Sequence, residues 1–146
     1  MPFRDEHSPD TSTRFQRYEA GLRNVGSYQA SCDPWLTGSN ITAADALQGE
    51  ISVTFPRVTK SFTVINTGSQ AINVHFASRE NSEVIDQKHY ITIPGTSGSW
   101  TFDVKCTQVY VSAFGATGDS GFQLAAELTG IAAQRMYTLT GSGIDE

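Results

Sequence analysis

The sequence predicts an all-β protein: an antiparallel β-sandwich, jelly-roll-like, with an extended N-terminal arm. Three observations carry this. Apolar and polar residues alternate in run after run from Val25 onward, as in "SWTFDVK", where Trp100, Phe102 and Val104 share a face, and "QVYVSAF", where Val109 and Val111 oppose Tyr110. Turn formers separate the runs: "NTGSQ", "RENSE", "PGTSGS", "GATGDSG" and "TGSG". Nine short runs recur at intervals of about ten residues, the spacing of a sandwich or barrel.

In chain order the predicted strands are Val25–Ser31, Ile51–Phe55, Lys60–Ile65, Ala71–Ala77, Lys88–Ile93, Ser99–Lys105, Gln108–Ala113, Phe122–Leu128 and Met136–Thr140. The third and fourth read as a hairpin across "NTGSQ". Within it His75 lies on the face opposite Ile72, Val74 and Phe76, and is expected on the solvent or contact side. The one helical candidate is Thr42–Gln48, with Thr42 as its cap.

Charge density divides the chain. Residues 1–24 hold eight Asp, Glu, Lys or Arg, and the other 122 residues hold seventeen. The first segment has no sustained period and contains Pro2, Pro9 and "SPDTST", so it buries too little to order itself. It is expected to be an arm, residues 1–24, attached to a sandwich domain, residues 25–146. Phe3, Phe15, Tyr18 and Leu22 stand among Arg4, Arg14 and Arg17 in this arm. A tail that only solvates has no use for aromatic residues, so the expected contact residues are Phe3, Arg14, Phe15, Arg17, Tyr18 and Leu22. The aromatics would fill pockets and the arginines pair with acidic neighbours.

The 146 residues suffice for a core without disulfides or metals. A net charge of -5 argues against nucleic acid as a partner, because phosphate binding needs a basic surface. No apolar run approaches the ~18 residues of a membrane span, and "MPFRDEHSPDTSTRF" does not read as a signal peptide. Synthesis in a cytoplasm is expected. Two cysteines, Cys32 and Cys106, make no framework and are each expected to be free, half-buried thiols.

Motifs for chemistry are weak. "GDSG", Gly118–Gly121, looks like the nucleophile segment of trypsin-like proteases, but none of His7, His75 and His89 sits in a matching histidine motif, and the chain is too short for two barrels. Gly, Asp and Ser are also what any tight turn uses. Glu80, Glu83 and Asp86 lack the dense oxygen spacing of a calcium loop and read as a solvated loop. Trp35 and Trp100 could form a sugar-stacking platform, although the period of Trp100 places it in the core. The expectation is therefore no catalytic residue, no metal and no cofactor.

Several segments carry a resemblance. "GLRNVGSYQASCDPWLTGS" (Gly21–Ser39), "FPRVTKSFTVIN" (Phe55–Asn66), "VHFAS" (Val74–Ser78), "FDVKC" (Phe102–Cys106), "AELTGI" (Ala126–Ile131) and "MYTLTGSGI" (Met136–Ile144) resemble, in this order, small virion structural proteins of tailed phages of marine and freshwater bacteria, including cyanophages. The resemblance spans residues 21 to 144, and its motifs are structural. It implies a capsid decoration, or cement, protein on the outer surface of the virion, with the major capsid protein as partner. By analogy with other phage decoration proteins it also implies a homo-oligomer, a trimer. The alternative it leaves is a tail or fibre protein, one that could bind host glycan through Trp35 or exposed tyrosines. Cys32 and the residues before Gly21 depart from the group's pattern.

Overall fold

The structure is a computed structural model, and it describes residues 21–22, 33–41, 49–80, 84, 86–113, 119–137 and 139. Among the described residues eight strands follow one another: β1 (Asp33–Ile41), β2 (Glu50–Thr54), β3 (Arg57–Asn66), β4 (Ile72–His75), β5 (Ile91–Ile93), β6 (Ser99–Phe102), β7 (Gln108–Ser112) and β8 (Ser120–Ala132). A 3-10 turn, Ala133–Arg135, follows β8.

Two four-stranded sheets form, in the orders β1-β8-β3-β6 and β2-β7-β4-β5. The antiparallel pairs β1–β8, β2–β7, β3–β6 and β4–β5 are nested, so the chain runs as one long double ribbon with its tip between β4 and β5. Curling that ribbon adds the β3–β8 and β4–β7 pairs. This winding is the eight-stranded jelly roll. The predicted all-β sandwich is therefore observed.

The inner faces follow the period-two pattern. Ile51 and Val53, Val109 and Val111, Ile72 and Val74, and Ile91 and Ile93 align across one sheet. Phe62 and Val64 lie beside Phe122, Leu124, Ala126 and Leu128 in the core between the sheets. Phe62 stacks on Phe102 with ring centroids 4.9 Å apart, and Phe76 meets both edge-on. Each such side chain contributes about 1.5–3 kcal/mol by leaving water.

The structure corrects several expectations. β3 and β4 are not a hairpin, because they belong to different sheets. The linking loop carries the chain across the sandwich and is sewn to two other segments. Thr67 donates to Gly121 within β8 and Gln70 to Asp119 just before it, while Thr96 and Ser97 donate to Gly68 and Asn66. The fully buried Asn66 side chain donates to Gln70 O (2.7 Å) and Ile93 O (3.2 Å) and accepts from Gly68 N (2.9 Å). A Cβ on Gly68 would lie 2.5 Å from Asp119 O, so only glycine fits.

β1 was not predicted, since Asp33, Pro34, Gly38, Ser39 and Asn40 read as turn formers. At a sheet edge a proline at the strand start is tolerated, and Trp35 secures the strand by packing edge-on against Phe55 at 5.2 Å. Trp100 is not core: it is 52% exposed, because β6 is the edge of its sheet. β8 runs four residues past its predicted end. Met136 and Tyr137 are not strand, while Leu139 forms a single bridge. The predicted strand Val25–Ser31 and the helical segment Thr42–Gln48 lie outside the described residues.

Candidate functional site

One polar cluster lies under the covered end of a sheet face. The outer side of the β2-β7-β4-β5 sheet carries Glu50, Ser52 and Thr54, then Gln108, Tyr110 and Ser112, then Asn73 and His75, then Thr92. Alternation of this kind ordinarily means a solvated face. Here Ser52, Thr54, Gln108 and Thr92 are exposed, but the segment after β4 returns over the other end, where Ser78 and Arg79 bond to Glu50, and Ala77 and Val84 of that segment are buried. His75 is 1% exposed and Ser112 is fully buried. The expectation of an outward His75 is thus corrected. The face was read rightly, but its His75 end is covered.

The hydrogen-bond geometry assigns the protons. His75 Nδ1 lies 2.6 Å from Ala77 O, which can only accept, so Nδ1 carries the hydrogen. Nε2 then accepts from the Ser112 hydroxyl at 2.8 Å. The Tyr110 ring stacks parallel on the imidazole at 5.8 Å. The Glu50 carboxylate, its side chain 3% exposed, stands 3.8 Å from Nε2. It accepts from Ser78 Oγ at 2.8 Å and Arg79 N at 2.7 Å, so it pins the start of the covering segment. Burial lowers the His75 pKa below its ordinary 6.5; the Ala77 carbonyl and the Glu50 charge oppose this, and Arg79 adds to it. Burial raises the Tyr110 hydroxyl, and the Glu50 and Glu80 charges raise it further.

A serine bonded to a histidine whose other nitrogen is held by an acceptor is the arrangement of an activated nucleophile. Ser112 Oγ nevertheless has no access to solvent. A substrate would have to displace Tyr110 and the covering segment to reach it. The arrangement acts as a buried latch joining β4, β7, β2 and the 76–80 segment. Sequence reading missed Glu50 and Ser112. The available signal was an all-polar outer face followed by a segment carrying an apolar Val84.

The remaining sequence candidates resolve differently. Ser120 Oγ is buried without a hydrogen-bond partner among the described residues, whereas a serine nucleophile needs a base in contact. Among the described residues, no three His, Cys, Asp or Glu come together to hold a metal. Glu80 and Asp86 are exposed. Cys106 is a free thiol, fully rather than half buried, and desolvation raises its pKa to about 11. It belongs to a clamp in which Thr59 Oγ1 donates to Val104 O at 2.8 Å and Cys106 N donates to Thr59 Oγ1 at 3.1 Å.

Of the expected contact residues, Phe3, Arg14, Phe15, Arg17 and Tyr18 lie outside the described residues. Leu22 is described: its carbonyl accepts from Lys105 Nζ at 3.0 Å, which ties that end of the predicted arm to the body.

The other sheet presents its own outer face. Leu36, Gly38, Ile65, Gln123 and Ala125 line a shallow trough of about 430 Å³ there. Asp33–Arg57 and Lys60–Glu127 ion pairs lie on the same sheet. The surface offers apolar contact with paired charges beside it, which suits protein recognition. Comparison with family models, curated proteins and solved structures returns no match.

Proposed function

We propose that this protein is a non-enzymatic capsid decoration protein of a tailed phage, bridging neighbouring major capsid protein subunits on the outer surface of the virion. The observation that carries the reading is where the resembling segments fall. Phe55–Asn66 builds β3 with its Thr59 clamp, Phe102–Cys106 supplies the clamp's other half, and Ala126–Ile131 is the end of β8. Thr129 Oγ1 closes that end by donating to Val58 O at 2.7 Å. The resembling segments thus supply residues that stiffen the body.

A cement protein resists outward pressure by bridging subunits, which calls for a stiff body and distributed contacts. In this reading residues 1–20, with Phe3, Phe15 and Tyr18 among Arg14 and Arg17, would supply contacts beyond the body. Burying an aromatic side chain contributes ~1.5–3 kcal/mol, while ordering each backbone residue costs ~1–2 kcal/mol. Apolar anchors alone therefore cannot hold the segment. It must gain main-chain hydrogen bonds from a neighbour and act together with the body through avidity. A trimer is the assembly we favour.

The test is deletion of residues 1–20. The truncated protein should stay folded and occupy purified capsids less than the full chain does; equal occupancy refutes the reading. A second reading, a tail or fibre protein that binds host glycan, is favoured by the exposed ring of Trp100. Glycan-array binding abolished by Trp100→Ala would establish it instead.

A further inference from the structure

Sheet edges leave backbone N–H and C=O groups open on one side, and such edges are templates for another strand. The four edges of this sandwich are unequal. β2, β5 and β6 are five, three and four residues long, and shortness protects them. β1 is nine residues long. It pairs with β8 at nine consecutive positions without a register shift, whereas the β3–β8 ladder shifts twice. Beyond Asp33 it carries no charge, and Leu36 stands 75% exposed on it. Among the described strands, none covers its outer edge.

We propose that the outer edge of β1, which no described strand covers, is an interaction surface whose occupant is β1 of a second copy of this chain, paired antiparallel about a two-fold axis at Thr37. Thr37 is the middle residue of the strand. With Thr37 facing itself, Leu36 falls opposite Gly38 of the second copy, Trp35 opposite Ser39, and Asp33 opposite Ile41. Directly opposed residues share a face. Each exposed leucine therefore lies over the only position on β1 that has no side chain, at the rim of the trough lined by Leu36, Gly38, Ile65 and Ala125. That hole is enforced by β8, because a Cβ on Gly38 would lie 2.9 Å from Phe122 O.

Charge agrees with the same register. Asp33 is the only charged residue on β1, and it is paired with Arg57 of its own copy. It meets Ile41 rather than its own counterpart, so no like charges are opposed. The product is a continuous eight-stranded sheet, β6-β3-β8-β1-β1-β8-β3-β6. The contact is a property of the isolated protein and does not depend on the virion reading. It joins bodies in pairs, in addition to any threefold assembly.

The experiment uses the full chain in a Cys32→Ser background. A cysteine at a self-paired position has its counterpart Cβ about 4.5–5.5 Å away, close enough to form a disulfide on modest adjustment. Thr37→Cys should give an oxidised dimer on a non-reducing gel, and Asn40→Cys, far from the axis, should not. Light scattering of the unsubstituted chain should show an even multiple of the 15.8 kDa mass. Leu36→Asp, at an exposed site, should keep the circular dichroism spectrum and weaken the dimer about 10- to 100-fold. A monomer at every concentration overturns the proposal. So does a dimer in which Thr37→Cys fails to cross-link, or one insensitive to Leu36→Asp. A dimer abolished by removing residues 1–20, without the Thr37→Cys link, would place the N-terminal segment at the contact and overturn it as well.

Discussion

His75 and Ser112 are joined across β4 and β7 by a 2.8 Å hydrogen bond that neither shares with water, since both residues are buried. Ser112→Ala leaves Nε2 without its donor in a dry site. An orphaned buried acceptor costs about 1–3 kcal/mol, so the urea midpoint should fall with little change in slope. Fluorescence-detected unfolding checks this.

The same histidine makes stability depend on pH. Its folded pKa lies below the unfolded value of 6.5 because burial disfavours the charged ring. Between those two values the unfolded chain binds more protons, so stability rises with pH through that window. The contribution is fully present above 6.5 and is lost as pH falls through the folded pKa. Acid unfolding followed by tryptophan fluorescence should shift to lower pH in His75→Gln relative to the general stability change. A parallel pH profile in the two proteins contradicts the assignment.

Gly68 and Asn66 hold the crossing between the sheets. Gly68→Ala forces its Cβ against the Asp119 carbonyl, and overpacking of this kind costs about 1–3 kcal/mol. Asn66→Ala removes two donated bonds and one accepted bond from a buried site and should destabilise by at least as much. Calorimetry of both variants reads the loss directly.

Cys106 should be inert in the native protein. Its thiol is buried and its pKa is raised to about 11, so the reactive thiolate is scarce at neutral pH. A thiol reagent applied to the Cys32→Ser protein should label Cys106 only at the rate of opening, and quickly in denaturant. Fast native labelling would contradict the burial.

The two-sheet architecture was legible where side chains alternate cleanly. Val109, Val111, Phe102 and Val64 announce their inner faces by period alone. β1 was not legible, because Pro34 and Gly38 look like loop residues and only the edge position and the Trp35–Phe55 contact make them a strand. The polar latch was half legible. Period two placed His75 on the second face, but its partners come from β2 and β7, and the one local sign that the chain returns to cover them is the apolar Val84 in the segment after β4. Trp100 shows the converse failure: its period points inward, yet an edge strand leaves the ring half in solvent.

Quantitative mass spectrometry of purified phage particles tests the central proposal most directly, by counting this chain against the major capsid protein. The decoration reading predicts a copy number that scales with that of the capsid subunit and falls when residues 1–20 are deleted. A handful of copies per particle, unchanged by the deletion, would contradict it and place the protein in the tail.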